Sequence, residues 1–215
     1  MATRIKTEAE KSGLTAQLEA DLLAGNFRPA EWLKQSDLEQ TYQANRFDVR
    51  MALIELRARR LLVHVPNRGF RVIDLSDDER AKLVDTRTIL ECAAARMVAK
   101  NATTDDVTEL TAISDEFEKQ IETADQDTLR ETNNRFHDRL YQISGNSVLV
   151  NEIKELRSRG LPGIRSSSSW RTINGVSRSN EDHKEMIRLI AAGDSDGLEA
   201  LVQKHLNNWR QKQVA

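Results

Sequence analysis

Apolar residues recur at helical spacing through most of the chain, and one short stretch breaks this period. Near the N-terminus, Leu14, Leu18 and Leu22 repeat every four residues, which predicts a helix with one buried face. Gly25 follows this face at the position where a helix commonly ends, because glycine adopts the left-handed conformation of a C-terminal cap. The chain is therefore expected to begin with an amphipathic helix.

Two helix-start signals come next. Ser36 and Glu39 match a capping box, which predicts a short helix reaching about Tyr42. Asn45 is a good N-cap for a second helix, with Asp48 as an acidic residue in its first turn. Two short helices separated by about three residues are typical of a helix-turn-helix, whose second helix enters the DNA major groove N-terminus first.

The helical period stops after this second helix. Residues 61–65 and 70–73 are β-type runs, and residues 66–69 between them carry a turn signal. A hairpin directly after a helix-turn-helix predicts a winged helix. Its tip would place Arg68 beside Gly69, whose backbone can approach a phosphate or a minor groove closely.

From residue 76 onward the pattern is helical throughout. It predicts six helices, at about residues 77–100, 103–124, 126–144, 147–159, 179–192 and 195–212. Gly145 and Gly160 are predicted to end the third and fourth, and residues 161–178 remain open between loop and frayed helix. The predicted fold is mainly α: an N-terminal winged helix-turn-helix with a small β-hairpin (residues 1–75), followed by an all-α helical bundle (residues 76–215).

Composition narrows the class of protein. Hydrophobic residues make up 39% and charged residues 31%, which excludes a disordered chain, and the single cysteine, Cys92, excludes a disulfide scaffold. No apolar run approaches the ~18 residues of a membrane span, and a cytoplasmic location is expected. The net charge of -2 hides seven arginines between Arg46 and Arg71 against two carboxylates. Such a basic island indicates a local polyanion site, with a solvated helix face as the alternative.

These features together resemble the GntR family of bacterial transcription regulators, in its FadR-like branch with an FCD-type helical ligand-binding domain. Residues 45–53, NRFDVRMAL, lie where the family has Ser-Arg-x-Pro-Val-Arg-x-Ala-Leu, and residues 66–69 lie where it has its wing turn. Asn45 stands for the usual Ser and Asp48 for the usual Pro. Both still suit a helix start, although Asp48 is expected to bring an acidic group near the DNA phosphates.

The resemblance implies a DNA-binding regulator, a repressor and homodimer, acting on double-stranded DNA with a palindromic operator. Arg46 and Arg50 would contact bases or phosphates from the recognition helix, and Arg68 and Gly69 would act from the wing. Arginine suits this role because its guanidinium can donate two hydrogen bonds to guanine and carries a permanent charge.

The histidines carry a second signal. Asn133 and His137 are four residues apart and share a helix face, while His183 and His205 belong to the last two helices. Imidazoles from separate helices can meet in a bundle and bind a divalent metal. By spacing alone this signal is weak, because a helical histidine is more often a surface or core residue.

The resemblance strengthens that hypothesis. Many members of this branch carry Asp-x-x-x-His on one helix and one histidine on each of two later helices, which together bind a metal. Here Asn133 stands for the Asp, so the implied ligands are Asn133, His137, His183 and His205, with zinc, nickel or manganese as the metal. A neutral amide is a weaker ligand than a carboxylate, which predicts a greater dependence on an anionic effector.

The implied effector is a small carboxylate held by the metal and an arginine. Arg87 is the arginine implied by the resemblance, and its alternative role is an ion pair with Glu91 on the same helix. Arg165 or Arg171 could close the pocket. Two other interpretations stay open: a metal-dependent hydrolase-like enzyme, and a DNA-binding regulator with a purely structural or vestigial metal site.

Overall fold

The computed structural model describes the backbone of residues 8–164 and 173–207, and the side chains of residues 13–159 and 173–207. This part of the chain divides into two compact units. The first runs to Ser76 and also takes in Ser158–Ile164, and the second begins at Asp77 and holds the remaining described residues. No helix in these ranges is long and apolar enough to cross a membrane.

Helices and short strands alternate in the first unit. Its elements are α1 (Glu8–Ala24), β1 (Trp32–Leu33), α2 (Gln35–Thr41), α3 (Arg46–Ala58), β2 (Leu62–Val65) and β3 (Gly69–Val72). The strands form an antiparallel sheet in the order β1-β3-β2, in which Val65 pairs with Gly69 and Leu62 with Val72. The winged helix-turn-helix is confirmed. The sequence pattern did not indicate β1, because two residues are too few to show a strand period.

The core of this unit comes from the apolar faces that the spacing indicates. It is built from α1, α3 and the sheet, and its buried members include Leu14, Leu18, Leu22, Val49, Leu53, Leu56, Leu62, Phe70 and Val72. Full burial of one such side chain stabilises the fold by about 1.5–3 kcal/mol. This shared core holds α3 against α1 and the wing, and leaves the opposite side of α3 facing outward.

The two predicted helix starts have different outcomes. Asn45 caps α3 as expected, because its side-chain oxygen accepts a hydrogen bond from the Asp48 backbone N–H at 2.9 Å. The capping box at Ser36 is wrong: α2 begins at Gln35, its N-cap is Lys34, and no side chain caps it. Ser36 is already inside the first helical turn, where its hydroxyl donates to Asp37 Oδ1 at 3.0 Å instead.

Six helices in the described residues begin in the second unit, and one of them ends with Ser158–Ile164 of the first. They are α4 (Asp77–Asn101), α5 (Thr104–Gln120), α6 (Gln126–Gln142), α7 (Ser147–Ile164), α8 (Ile173–Ala191) and α9 (Ser195–Asn207). The predicted end of α7 at Gly160 is wrong, since the helix continues to Ile164. A glycine costs a helix only about 1 kcal/mol, which buried positions such as Ile153 and Leu156 earlier in α7 outweigh.

Packing in the second unit surrounds a polar interior. Helix α4 packs on α9, α5 packs on α6 and α8, and α8 packs on α9. Apolar side chains from these helices form the core, among them Val98, Leu110, Phe136, Met186 and Val202. Buried polar side chains lie within the same bundle, including Glu91, His137 and His183. Buried polar groups of this kind require partners, because burial removes their hydration.

Candidate functional site

The recognition helix α3 presents its arginines to the outside. Its inward face is filled by Val49, Leu53 and Leu56, so Arg46 and Arg50, which are four residues apart, lie together on the exposed face. Both occupy the first two turns, at the end of the helix that would enter a DNA groove. The structure therefore places these two predicted DNA-binding residues where such a contact is possible.

Asp48 differs from the expectation drawn from sequence. It is buried, and its Oδ2 accepts a hydrogen bond from Asn45 Nδ2 at 2.8 Å while the backbone of Asp48 donates to the Asn45 side chain. The two residues that depart from the family pattern thus hold each other at the start of α3. The Asp48 carboxylate is not presented on the exposed face beside Arg46 and Arg50, so the expected acidic group near the phosphates is not seen.

The wing turn has the conformation that its residues favour. Asn67 has a φ of 61° and Gly69 a φ of 95°, values that asparagine and glycine adopt most readily. Arg68 between them is exposed, and its guanidinium carbon lies 4.8 Å from the ring centroid of Trp32 on β1. This cation–π contact orients Arg68 and shows a role for Trp32 that the sequence did not reveal.

Three histidines from three helices meet inside the second unit. His137 lies on α6, His183 on α8 and His205 on α9, and one ring nitrogen from each lies within 4.8 Å of the others. The Nε2 atoms of His137 and His183 are 3.3 Å apart. The structure therefore brings together the three histidines of the implied ligand set, although they span 69 residues of sequence.

Burial and neighbouring charges favour the neutral form of two of these imidazoles, those of His137 and His183. Burial lowers the pKa of His137 well below its ordinary value, and the charges of Arg157 and the other two histidines lower it further. Burial likewise lowers the pKa of His183, followed by the charges of His205 and Arg157. Neutral imidazole is the form that binds a metal, because the lone pair of its nitrogen must be free.

Asn133, the fourth residue of the predicted set, lies one turn before His137 on α6. Its Oδ1 is buried and accepts no hydrogen bond from the described residues. The Nδ1 atoms of His137 and His183 are also buried and form no hydrogen bond with the described residues. Buried polar atoms without a partner are rare in native proteins, because each loses its hydration without compensation. Three imidazoles and a carbonyl-type oxygen that lacks a donor fit a divalent transition metal.

A buried ion network lies beside the histidines. Arg87 Nε donates to Glu91 Oε1 at 2.7 Å, as the alternative interpretation of Arg87 expected. The Tyr141 hydroxyl donates to Glu91 Oε2, and Arg157 Nη1 lies 3.9 Å from the same oxygen. Burial alone would raise the pKa of Glu91, but Arg87, Arg157 and the Tyr141 hydrogen bond outweigh it and hold that pKa below its ordinary value.

Arg157 is the site residue that sequence reasoning missed. It lies on α7, four residues after the buried Ile153 and directly after Leu156. An arginine on the apolar face of an amphipathic helix is a readable signal, because its charge must find a partner inside the protein. Arg165 and Arg171, the two residues considered as pocket-closing arginines, lie outside the described residues.

A second carboxylate contacts the cluster directly. Asp182 precedes His183 on α8, is almost fully buried, and places its Oδ2 2.9 Å from Nδ1 of His205. A carboxylate at this distance accepts a hydrogen bond from Nδ1–H, which leaves Nε2 of His205 as the nitrogen with a free lone pair.

Comparison with known proteins identifies the family. The family model for the FCD domain matches residues 82–208, and the model for bacterial regulatory proteins of the gntR family matches residues 11–72. The chain belongs to the GntR family, with an FCD domain. The family and its relatives are transcription regulators and not enzymes, which removes the hydrolase alternative.

Individual relatives agree with this assignment. The chain is 27% identical over 141 residues to the uncharacterized HTH-type transcriptional regulator YdhC of Bacillus subtilis, a match that spans 65% of this chain and 63% of YdhC. It is 36% identical over 74 residues to the HTH-type transcriptional repressor GlaR of Escherichia coli, spanning 34% of each protein. The solved structure of McbR/YncC from E. coli covers 94% of this chain and 98% of its own, with a TM-score of 0.83 at 20% identity. That structural likeness shows a shared fold.

Proposed function

We propose that this regulator is a repressor that binds a palindromic operator as a homodimer and responds to a divalent transition metal and a small carboxylate. In this proposal residues 1–75 bind DNA, and residues 76–215 bind the effector and form the dimer. The observation that carries the proposal is the meeting of His137, His183 and His205 within the bundle. No DNA contact requires two buried histidines and a half-buried third in the second unit, so a separate ligand site accounts for them.

The metal ligands in this proposal are the three histidines and Asn133. All four supply neutral donor atoms, so the charge of a bound zinc, nickel or manganese ion is not balanced by its ligands. A bound metal with an open coordination position would act as a Lewis acid towards an anionic ligand. The residues of the chain bind and orient that ligand and exclude water from it.

The surrounding charges favour a carboxylate. Arg87 and Arg157 contribute two positive charges against one negative charge on Glu91, and all three side chains are largely buried. Arg157 is the better candidate for the effector, because Arg87 Nε is already bonded to Glu91 at 2.7 Å, whereas Arg157 Nη1 is 3.9 Å from Glu91 and Nη2 donates only a long 3.4 Å hydrogen bond to Asn134 Oδ1. A guanidinium can donate two parallel hydrogen bonds to one carboxylate.

The dimer and the repressor role rest on separate support. Helix α4 exposes Ile89 and Met97, large apolar side chains that a second copy of the chain could cover. GlaR, which resembles this chain over 74 residues, is a transcriptional repressor. In the dimer, an effector that binds one arrangement of the two winged-helix domains more tightly than another would shift the population towards that arrangement. Operator affinity would change as a result.

The first test is metal content. Elemental analysis of the purified chain is expected to give about one transition metal per chain, and H183A is expected to lose it while its helical circular dichroism is unchanged. The matched control is H64A, which removes the exposed fourth histidine on β2 and should keep the metal. Stoichiometric metal in H183A would contradict the ligand set.

The second test separates sensing from structural metal. Metal-loaded protein is melted with a panel of small carboxylates, and binding to a duplex selected from a random library is followed by fluorescence anisotropy. An effector is expected to raise the melting temperature, change DNA affinity, and lose both effects in R157K, which keeps the charge but not the planar fork. If the metal raises the melting temperature but no carboxylate changes DNA binding, the metal is structural.

A further inference from the structure

The contact between Asp182 and His205 joins two helices at the histidine cluster. Asp182 is 8% exposed, and its Oδ2 lies 2.9 Å from His205 Nδ1. Asp182 is also adjacent in sequence to His183, so one short segment of α8 carries a ligand of the proposed metal and a carboxylate that contacts another ligand. Within the described residues, Asp182 is the carboxylate in hydrogen-bond contact with a histidine of this cluster.

This arrangement matters because the direct ligands carry no charge. Asn133 is neutral, and a histidine binds a metal as neutral imidazole, so a bound dication would have no anion among these ligands. A carboxylate bonded to the far nitrogen of a metal-binding histidine fixes the ring and its tautomer, and makes the ligand nitrogen more basic. Asp182 has the contact that this role requires.

Resting on the proposed metal site, we infer that Asp182 is its positioning residue and supplies, through His205, the negative charge that Asn133 does not. Asp182 holds His205 with Nε2 directed to the ion, and its charge partly balances the dication from outside the ligand shell. The site thus keeps one carboxylate, relocated from a direct ligand to the partner of a ligand.

Substitution D182N tests the charge, because asparagine keeps the shape and an oxygen that accepts from Nδ1–H. Zn²⁺ affinity is measured by competition with a chromophoric chelator, and the ligand field by the visible absorption of Co²⁺-loaded protein. We expect Zn²⁺ affinity to fall about 10- to 100-fold and the Co²⁺ spectrum to change. The matched control is E181Q, which removes the neighbouring exposed carboxylate on α8 and should change neither.

Relocating the charge provides the decisive variant. N133D/D182N moves the carboxylate back to the direct ligand position and is expected to recover Zn²⁺ affinity to within a few-fold of wild type. Equal Zn²⁺ affinity in D182N and wild type would overturn this inference alone, whereas absence of Zn²⁺ binding in wild type would overturn the proposed metal site as well. A D182N protein that melts far below E181Q and does not recover metal in N133D/D182N would show a purely structural contact, which also overturns it.

A separate observation concerns the exposed face of α3. Phe47, Met51 and Ile54 are 63%, 46% and 40% exposed, and they lie at successive turns of the recognition helix. Large apolar side chains in such a row are unusual on a face that also carries Arg46 and Arg50. Phe47 is the second residue of α3, so it stands at the end of the helix that enters the major groove first.

The chemistry of the major groove offers one apolar group that matches a phenyl ring. Among base edges in that groove, only thymine presents a methyl group, and apolar side chains read it by direct contact. Arg46 and Arg50 on either side of Phe47 supply the charge that draws this face to phosphates. We propose that Phe47 contacts a thymine methyl group and selects thymine at one position of each half-site.

Replacing thymine by deoxyuridine removes only the methyl group, which makes the test specific. A duplex selected with the full chain is resynthesised with uracil at each thymine in turn, and affinity is measured by fluorescence anisotropy. One position per half-site is expected to lose about fourfold in wild-type affinity, the value of one buried methyl group. F47A should bind thymine and uracil duplexes equally, and I54A, with the more distant apolar residue changed, should keep the preference.

Three results would overturn this role for Phe47. The first is the absence of any uracil-sensitive position with the wild-type chain. The second is an undiminished preference for thymine in F47A. The third is a change in the oligomeric mass of F47A measured by light scattering, which would show that this face joins copies of the chain.

Discussion

The two units place their candidate functional side chains in opposite ways. In the first, Arg46, Arg50 and Arg68 are exposed and depend on local structure: a cap, a helix face and a tight turn. In the second, His137 and His183 are buried and come from helices far apart in sequence. A surface that binds a large polyanion can be formed by one continuous segment of the chain. A buried site for a small ligand needs side chains from several segments.

The charges of the two units show the same difference. The exposed arginines of α3 remain hydrated, so their charge costs little on folding and stays available to DNA. Arg87 and Arg157 are largely buried, and a buried cation is tolerated only with a partner, here Glu91. DNA binding is therefore expected to be separable from stability in the first unit, and ligand binding to be coupled to stability in the second.

The largest effect is expected from Glu91. E91Q removes the only anion that contacts Arg87 and Arg157 in the described network and leaves two buried cations without countercharge. We expect a loss of about 3–5 kcal/mol in the free energy of unfolding, measured by urea denaturation. D78N, which breaks the exposed Asp78–Lys82 pair on the same helix, is the control and should show no measurable loss. Equal stability of E91Q and wild type would show that the buried charge of Glu91 does not contribute to the stability of the second unit.

The same residue predicts a dependence on pH. Because the pKa of Glu91 is lowered in the folded state, the unfolded state binds the proton more readily as pH falls below its ordinary value of 4.5. The stability from Glu91 is complete above that pH and decreases below it. Wild type should therefore lose more stability than E91Q between pH 5 and about pH 3 in urea titrations at stepped pH. Parallel curves for the two proteins would count against a charged Glu91.

Next in size is the core under the recognition helix. L53A creates a cavity between α3 and α1 and is expected to cost about 2–5 kcal/mol of unfolding free energy. The adjacent I54A changes a side chain that is largely outside the core, and should be nearly neutral in the same urea melt. A similar cost at both positions would mean that α3 is turned differently from the structure described here.

Substitution of Arg50 tests whether DNA affinity can fall without a loss of stability in the first unit. R50A should weaken binding to a selected duplex by about 5- to 150-fold, the value of one good base or phosphate contact, with an unchanged melting temperature. R188A removes an exposed arginine of α8 and should leave affinity unchanged at the same salt concentration. Undiminished affinity in R50A would remove this residue from the DNA-binding surface.

The smallest effect is expected at the N-terminal ends of α2 and α3. N45A removes the acceptor of the Asp48 N–H and should cost about 1 kcal/mol of unfolding free energy. S36A should cost almost nothing, because Ser36 is not the cap of α2. Melting temperatures of the two variants give the comparison, and an equal loss in both would restore the capping box that the sequence pattern indicated.

Much of the fold could be derived from local patterns. Helical spacing predicted the cores of α1 and α3, Asn45 marked the start of α3, and the change to a two-residue period marked the hairpin. These features involve residues a few positions apart, so their physics is contained in short segments. The predictions at Ser36 and Gly160 were wrong, because α2 begins at Gln35 and α7 continues to Ile164, and a local signal does not by itself fix where a helix begins or ends.

The sequence by itself determined the residue types of the second site but not their assembly. It supplied Asn133 and the three histidines and, through the resemblance, a reason to group them as candidate metal ligands. Only the tertiary structure brought three ring nitrogens within 4.8 Å, revealed Arg157 beside Glu91, and placed Asp182 on His205. The physical reason is the range of the interactions. A helix cap depends on residues that are neighbours in the sequence, whereas the partners of a buried charge depend on which helices pack around it.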